Sequence, residues 1–358
     1  MNCPKCGREL LIGSTLCPDC DIVNDINDGK IPRKRKRKLT KIGKIIIGAF
    51  GGVVLLILIC ILANHFAGYK VLPIENGNGL SGAVAEYVKN EYFYSTGDAL
   101  YGTNKKIKEH EIIDKAPSGE IYSLVECNKN LYYIKNGVLC LYSPGKRIKK
   151  DLVKLPSVNR ARVVSKSEYC FYFIVDNMTY RYDIQTNNIS KEYDYPALYD
   201  GNEVFIFKSD GIYKTNTKKG ITDKISDVGE FEIPAFILDN VLYTIDQKAM
   251  TVMAVSKKTG EKKTVFDCKE HTSISDVAKL NTDGEKFYLV GSDGVYTRGL
   301  SEGLVSETEK KGFVNAVAIS KDKMFCRDAA GNSYICDLNG KILYEINHDD
   351  IAQTAPVA

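Results

Sequence analysis

Four cysteines at the start of the chain carry the most specific chemistry in its sequence. In "MNCPKCGRELLIGSTLCPDC", Cys3 and Cys6 form one C-x-x-C pair and Cys17 and Cys20 form another. Two such pairs bring four thiolates within tetrahedral reach, the ligand set that zinc prefers. Pro4 and Pro18 stiffen the turns, and Gly7 permits the backbone twist that aims amide hydrogens at sulfur. A head of about 25 residues buries too little to fold alone, so the metal must supply the folding free energy. Four cysteine ligands leave no open position, so the expected Zn2+ is structural and not catalytic. Paired disulfides or redox thiols are the competing reading, disfavoured in a cytoplasmic setting.

The setting follows from the next 50 residues. Residues 22–44 have no sustained period and end in a charge run, which reads as a flexible basic tether. Residues 45–63 are 19 apolar residues without a charge, long enough as a helix to span about 28 Å of hydrocarbon. A buried core helix would keep a polar stripe, and this run has none. A transmembrane helix is therefore expected over residues 45–64. A cleaved signal peptide fits poorly, because the leader is long and no small-x-small cleavage site follows.

Arg33, Lys34, Arg35, Lys36, Arg37 and Lys38 stand just before this run, and the 15 residues after Ala63 contain one cation, Lys70. Basic residues settle on the cytoplasmic side, so the N-terminus is expected inside and the large C-terminal part outside. The same six cations would attract anionic headgroups. A nuclear signal or nucleic-acid arm competes for these residues, but their junction with a spanning helix makes nucleic acid an unlikely partner. Gly48 and Gly52 form a G-x-x-x-G pair through which two helices could pack as a homodimer.

The head resembles the short zinc-ribbon domain found at the N-terminus of many bacterial membrane proteins, where "CPKCG" opens the chain and a second C-P-x-C closes it. The likeness covers residues 1–21 and departs at Asp21, where the pattern usually has glycine. It implies a structural or protein-contact module.

Beyond the hydrocarbon run, "ENGNGLSG" matches G-x-G-x-x-G at Gly77, Gly79 and Gly82. Without a preceding strand that match is weak, and residues 65–90 read as a stalk. Residues 91–358 repeat. An apolar or aromatic stretch, an Asn/Asp/Gly turn and a second apolar stretch recur from Phe93, Leu131, Phe171, Val204, Leu242, Phe287 and Met324. The mean spacing is about 39 residues, near the period of propeller blades. Each copy reads as a hairpin, as in "KNG" at Lys135–Gly137 and "SDG" at Ser209–Gly211. The expected fold is mainly β, a six- or seven-bladed β-propeller, with the copy at Phe93 the weakest. The last blade could borrow a strand from the N-terminal end of the domain. A pair of β-sandwiches would not explain the period.

The repeats resemble the propeller of uncharacterised bacterial surface proteins, itself distantly similar to the YWTD-type propellers of lipoprotein-receptor proteins. Tyr or Phe, a turn, then Y-x-x-D, as in "TYRYDIQTNNIS", carries the likeness, although the chain contains no Trp. It supports the fold better than any ligand.

Catalytic signatures are sparse. The four histidines, His65, His110, His271 and His348, sit in neither an H-E-x-x-H motif nor near a G-x-S-x-G elbow. Tyrosines and phenylalanines at alternating positions read as blade core. The six cysteines from Cys127 to Cys336 lie in apolar strand runs and read mostly as free thiols, with Cys326 and Cys336 the best-placed pair for a disulfide. The expected function is a single-pass membrane-anchored binding or sensing protein. Its propeller would meet an envelope protein or glycan outside, and its ribbon a cytoplasmic protein. A structural scaffold of an envelope complex and an envelope glycan hydrolase or lyase are the alternatives.

Overall fold

The computed structural model describes residues 2–3, 6–9, 71–74, 78, 80, 84–157, 159–270, 280–291, 294–299, 305–311, 316–328 and 330–346. The chain divides into two compact units, Met1–Gly68 and Tyr69–Ala358. In the first, Asn2 and Glu9 bridge antiparallel around a turn. There the Gly7 N–H donates to the Cys3 carbonyl at 2.8 Å, with Gly7 at φ +75°. The expected helix over residues 45–64 lies outside the described residues. Among those described, no helix is long and apolar enough to cross a membrane.

The second unit is a seven-bladed β-propeller. Seven antiparallel sheets follow one another at 85–115, 121–154, 162–193, 197–226, 232–267, 280–311 and 316–346, here blades 1 to 7. All seven sequence repeats fall on the second strand of a blade, so the weak copy at Phe93 is a full member. The reason is burial. Blades stack face on face, so a second strand is covered on both sides and becomes a continuous apolar run. Cys170–Val175 is buried at all six positions, whereas the outermost strand of blade 2, Ile148–Lys154, is mostly exposed and basic.

Neighbouring blades are tied by a recurring device. A hydroxyl near the inner edge of one blade donates to main chain at the start of the next. Ser95 Oγ reaches the Ile121 carbonyl at 2.6 Å and Ser123 Oγ the Ala161 carbonyl at 2.6 Å. Ser165 Oγ donates to the Tyr199 carbonyl at 3.1 Å and accepts its N–H at 3.0 Å.

The ring closes without strand exchange, contrary to the expectation of a borrowed strand. Blade 7 is built wholly from residues 316–346, and side chains make its seam with blade 1. Tyr94 stacks on Phe325 at 5.6 Å, and His110 stacks on Tyr344 at 4.0 Å. The Arg327 guanidinium donates to the Thr96 carbonyl at 2.5 Å. The N-terminal strand, Leu72–Pro73, instead pairs with the first strand of blade 3, Arg162–Lys166. Propeller structure therefore begins within the region read as a stalk, since Ala85–Val88 is the innermost strand of blade 1. Val71, Pro73 and Ile74 of the apolar run "VLPI" are used for packing, which a solvated stalk would not need.

The seam carries a pH dependence. Burial holds the His110 imidazole below its ordinary value, and its Nε2 has no hydrogen-bond partner among the described residues. A folded pKa below the unfolded one means the unfolded chain protonates first as pH falls. The His110 contribution is therefore full above about pH 6.5 and is lost as pH falls through the folded value. We predict that the urea midpoint drops between pH 7 and pH 5 by more in the wild type than in His110→Phe. Equal drops would refute it.

The described blade cysteines are packing residues. Burial pushes the Cys127 thiol up to about 11 and Cys140 and Cys268 up to about 12. Cys326 stands opposite Tyr334 and Cys336 opposite Met324, so the two sit diagonally. Diagonal neighbours lie about 7–8 Å apart, too far for a disulfide without backbone movement.

Candidate ligand-binding channel

The first strands of the blades surround an axial channel, and the segment from Val71 onward runs into it. The Gly201 N–H donates to the Val71 carbonyl at 2.6 Å, and the Ile74 N–H to the Val164 carbonyl at 2.9 Å. Asn78 crosses to blade 7, where its Oδ1 accepts the Ile319 N–H at 2.8 Å and its Nδ2 donates to the Ile319 carbonyl. Leu80 packs against the core of blades 5 and 6. The chain thus enters where the first strands finish and climbs toward the end where they begin.

A cavity of about 370 Å³ lies at the entry end, lined by Leu72, Glu86, Lys166, Asp283, Ile319 and Lys321 among others. Burial pushes the Glu86 carboxyl above the usual carboxylate range, against the pull of the Lys166 ammonium and the Tyr87 N–H. Lys166 Nζ donates to the Glu126 carbonyl at 2.7 Å and pairs with its carboxylate at 3.2 Å. Asp283 accepts the Tyr288 hydroxyl at 2.6 Å, and the Lys321 ammonium lies 4.3 Å from the Tyr87 ring centroid. Lys166 and Glu126 pair with each other, while Asp283 and Lys321 are held by tyrosines.

A second cavity, of about 280 Å³, lies at the opposite end, between Leu80, the starts of the first strands of blades 3 and 5, and the hairpin turn of blade 3. Its walls are largely apolar, with Ile174, Val175, Pro196, Ile233 and Pro234. Arg160 is committed to Glu120 at 2.7 Å and lies 5.1 Å from the Tyr122 ring centroid. Asp176 accepts the Asn159 amide at 2.5 Å, and hydrogen bonds from Ser157 and Asn159 hold it below the usual carboxylate range. Arg162 differs. Burial pulls its guanidinium down to about 10, and no opposing charge or hydrogen-bond acceptor among the described residues offsets that burial. It remains a cation at neutral pH, with five donors in a planar fork.

Of the residues singled out from sequence, Cys3 is buried and Cys6 exposed on the first turn. Cys17, Cys20, the run Arg33 to Lys38, Gly48 and Gly52 lie outside the described residues. Among those described, no group of three metal-ligating side chains occurs. Sequence reasoning missed Arg162, Glu86 and Lys166, since nothing local separates these charges from the others of the chain. "RARVV" at Arg160–Val164 held a faint signal, two cations at the threshold of an apolar strand.

No protein-family model matches the chain, and no curated protein matches it. Among solved structures, it is similar to the extracellular domain of a putative hybrid two-component system from B. thetaiotaomicron. The TM-score is 0.53 at 12% identity, over 78% of this chain and 44% of that one. It is also similar to the extracellular domain of a putative one-component system from the same organism. There the TM-score is 0.50 at 12% identity, over 76% of this chain and 39% of that one. The chain thus spans less than half the length of both. BamB from Moraxella catarrhalis aligns with TM-score 0.43 at 19% identity, over 74% of this chain and 85% of that one. At 12% identity the likeness to the two extracellular domains is one of fold alone.

Proposed function

We propose that this chain is a single-pass membrane-anchored binding or sensing protein. The observation that carries the reading is the junction of six cations, Arg33 to Lys38, with an uncharged hydrocarbon run. That order holds the N-terminal head in the cytoplasm and puts the propeller outside. The propeller fold suits the role, because its loops converge on one face around a channel mouth. Its outer ligand is an envelope protein or glycan. Two structures of like fold are extracellular domains, which agrees with this side of the membrane. A helix pair through Gly48 and Gly52 would give a single-pass sensor the dimer it needs to signal.

The cytoplasmic head is a structural zinc ribbon that contacts a partner protein, with Cys3, Cys6, Cys17 and Cys20 as ligands. The Cys3–Gly7 turn fits this reading. Its glycine takes a left-handed conformation, and the Cys3 N–H donates to the Arg8 carbonyl at 2.7 Å. The metal supplies folding free energy there and no open coordination position. Purified full-length protein is expected to carry one zinc per chain, and Cys17→Ser to lose nearly all of it. Metal analysis finding no zinc in the wild type would remove the ribbon.

Topology is tested by protease shaving of intact cells, with a tag at each terminus. The C-terminal tag should be lost and the N-terminal tag kept. A C-terminal tag that survives on intact cells but is cut after permeabilisation would place the propeller inside and sink the proposal.

A further inference from the structure

The first strand of blade 3, Arg162–Lys166, offers two cations to one channel, and they are treated differently. Lys166, at the entry end, has Glu126 at 3.2 Å and Glu86 close by. Arg162, at the far mouth, is partly buried against the cavity wall with no counter-charge among the described residues. Burying a guanidinium without a partner is unfavourable, and folded proteins pair such groups. The carboxylate that shares the cavity wall, Asp176, is turned to Asn159, and the second arginine is committed to Glu120.

We propose that this mouth binds a small organic monocarboxylate, with the Arg162 guanidinium as its anion partner and the apolar walls covering its hydrocarbon part. The fork of an arginine matches a carboxylate with two parallel hydrogen bonds. Leu80, Ile174, Ile233 and Pro234 give the rest of the ligand an apolar lining. A dianion such as sulfate or hydrogen phosphate would bring a second charge where, among the described residues, no second unpaired cation stands. A volume of about 280 Å³ is at the small end for ligand pockets, which suits a compact acid. Access is from the mouth opposite the one by which the chain enters. The inference gives the proposed binding role a ligand class and rests on that reading only for its biological meaning. The test uses purified protein and is blind to topology, so either can fail alone.

Full-length protein is treated with phenylglyoxal, which modifies guanidinium groups, and the peptides bearing Arg160 and Arg162 are followed by mass spectrometry. Millimolar benzoate should slow modification of Arg162 several-fold and leave Arg160 unchanged. The uncharged isostere benzamide should give no protection. In parallel, benzoate should raise the thermal midpoint of the wild type and not of Arg162→Met, since only a ligand bound to the native state stabilises it. If Arg162→Met does not fold, the protection experiment on the wild type decides. Absence of protection by benzoate, equal protection by benzamide, or stronger protection by sulfate than by benzoate would each overturn the proposal.

Discussion

Asn78→Ala is expected to lower unfolding stability by about 2–4 kcal/mol, because it strands two buried main-chain groups at once. Asn78 is 3% exposed, and its amide both donates to the Ile319 carbonyl and accepts the Ile319 N–H. Alanine leaves that N–H and that carbonyl without the side chain that satisfies them. The consequence reaches beyond one strand. Asn78 is where the N-terminal segment, already paired to blade 3, is fastened to blade 7. Hydrogen exchange should therefore quicken at Leu72 to Ile74 as well as at Ile319. Asn78→Asp keeps an acceptor and loses the donor, so it should fall between wild type and alanine. An unchanged urea midpoint in Asn78→Ala would show that the segment is not anchored through this residue.

Glu232→Ala should cost about 3 kcal/mol or more, the scale for breaking a buried charge pair. The Glu232 side chain is 2% exposed. It accepts the Gly229 N–H at 2.8 Å, the Thr244 hydroxyl and the Lys262 ammonium. Removing it leaves Lys262, about one-fifth exposed, with the Asp227 carbonyl at 3.1 Å as its remaining hydrogen-bond acceptor among the described residues. The cost arises from the orphaned charge more than from the lost attraction. Replacing both partners by leucine should then be less harmful than Glu232→Ala alone. Denaturant titration of the three proteins checks this, provided the m-value is unchanged. A double variant as unstable as the single one would assign the cost to lost packing instead.

The entry-end wall and the far mouth show why a charged channel is not in itself a site. At the entry end Lys166 has counter-charges in Glu126 and Glu86, so its energetics are spent on the fold. Arg162 has no counter-charge among the described residues, and in the proposed reading that difference gives the mouth its chemistry. Neither statement could be reached by counting charges, because each of these residues is one of 49 basic or 45 acidic side chains.

The sequence by itself determined the blades. Strand alternation, Asn/Asp/Gly turns and the two-sided burial of second strands are local properties, so each hairpin is written in about 15 consecutive residues. Seven repeats could be read at Phe93 through Met324 because the period of the blade is the period of the pattern. Only the tertiary structure decided how the ring closes and what fills its axis. The pairing of Leu72 with Lys166 and the tie from Asn78 to Ile319 join residues 94 and 241 positions apart. Contacts of that span leave no periodic trace, since one polar side chain and a four-residue apolar run suffice to make them. The same holds for Arg162. Whether a cation is paired depends on which strands converge around it, and that is fixed by closure of the ring rather than by the neighbours of Arg162 in the chain.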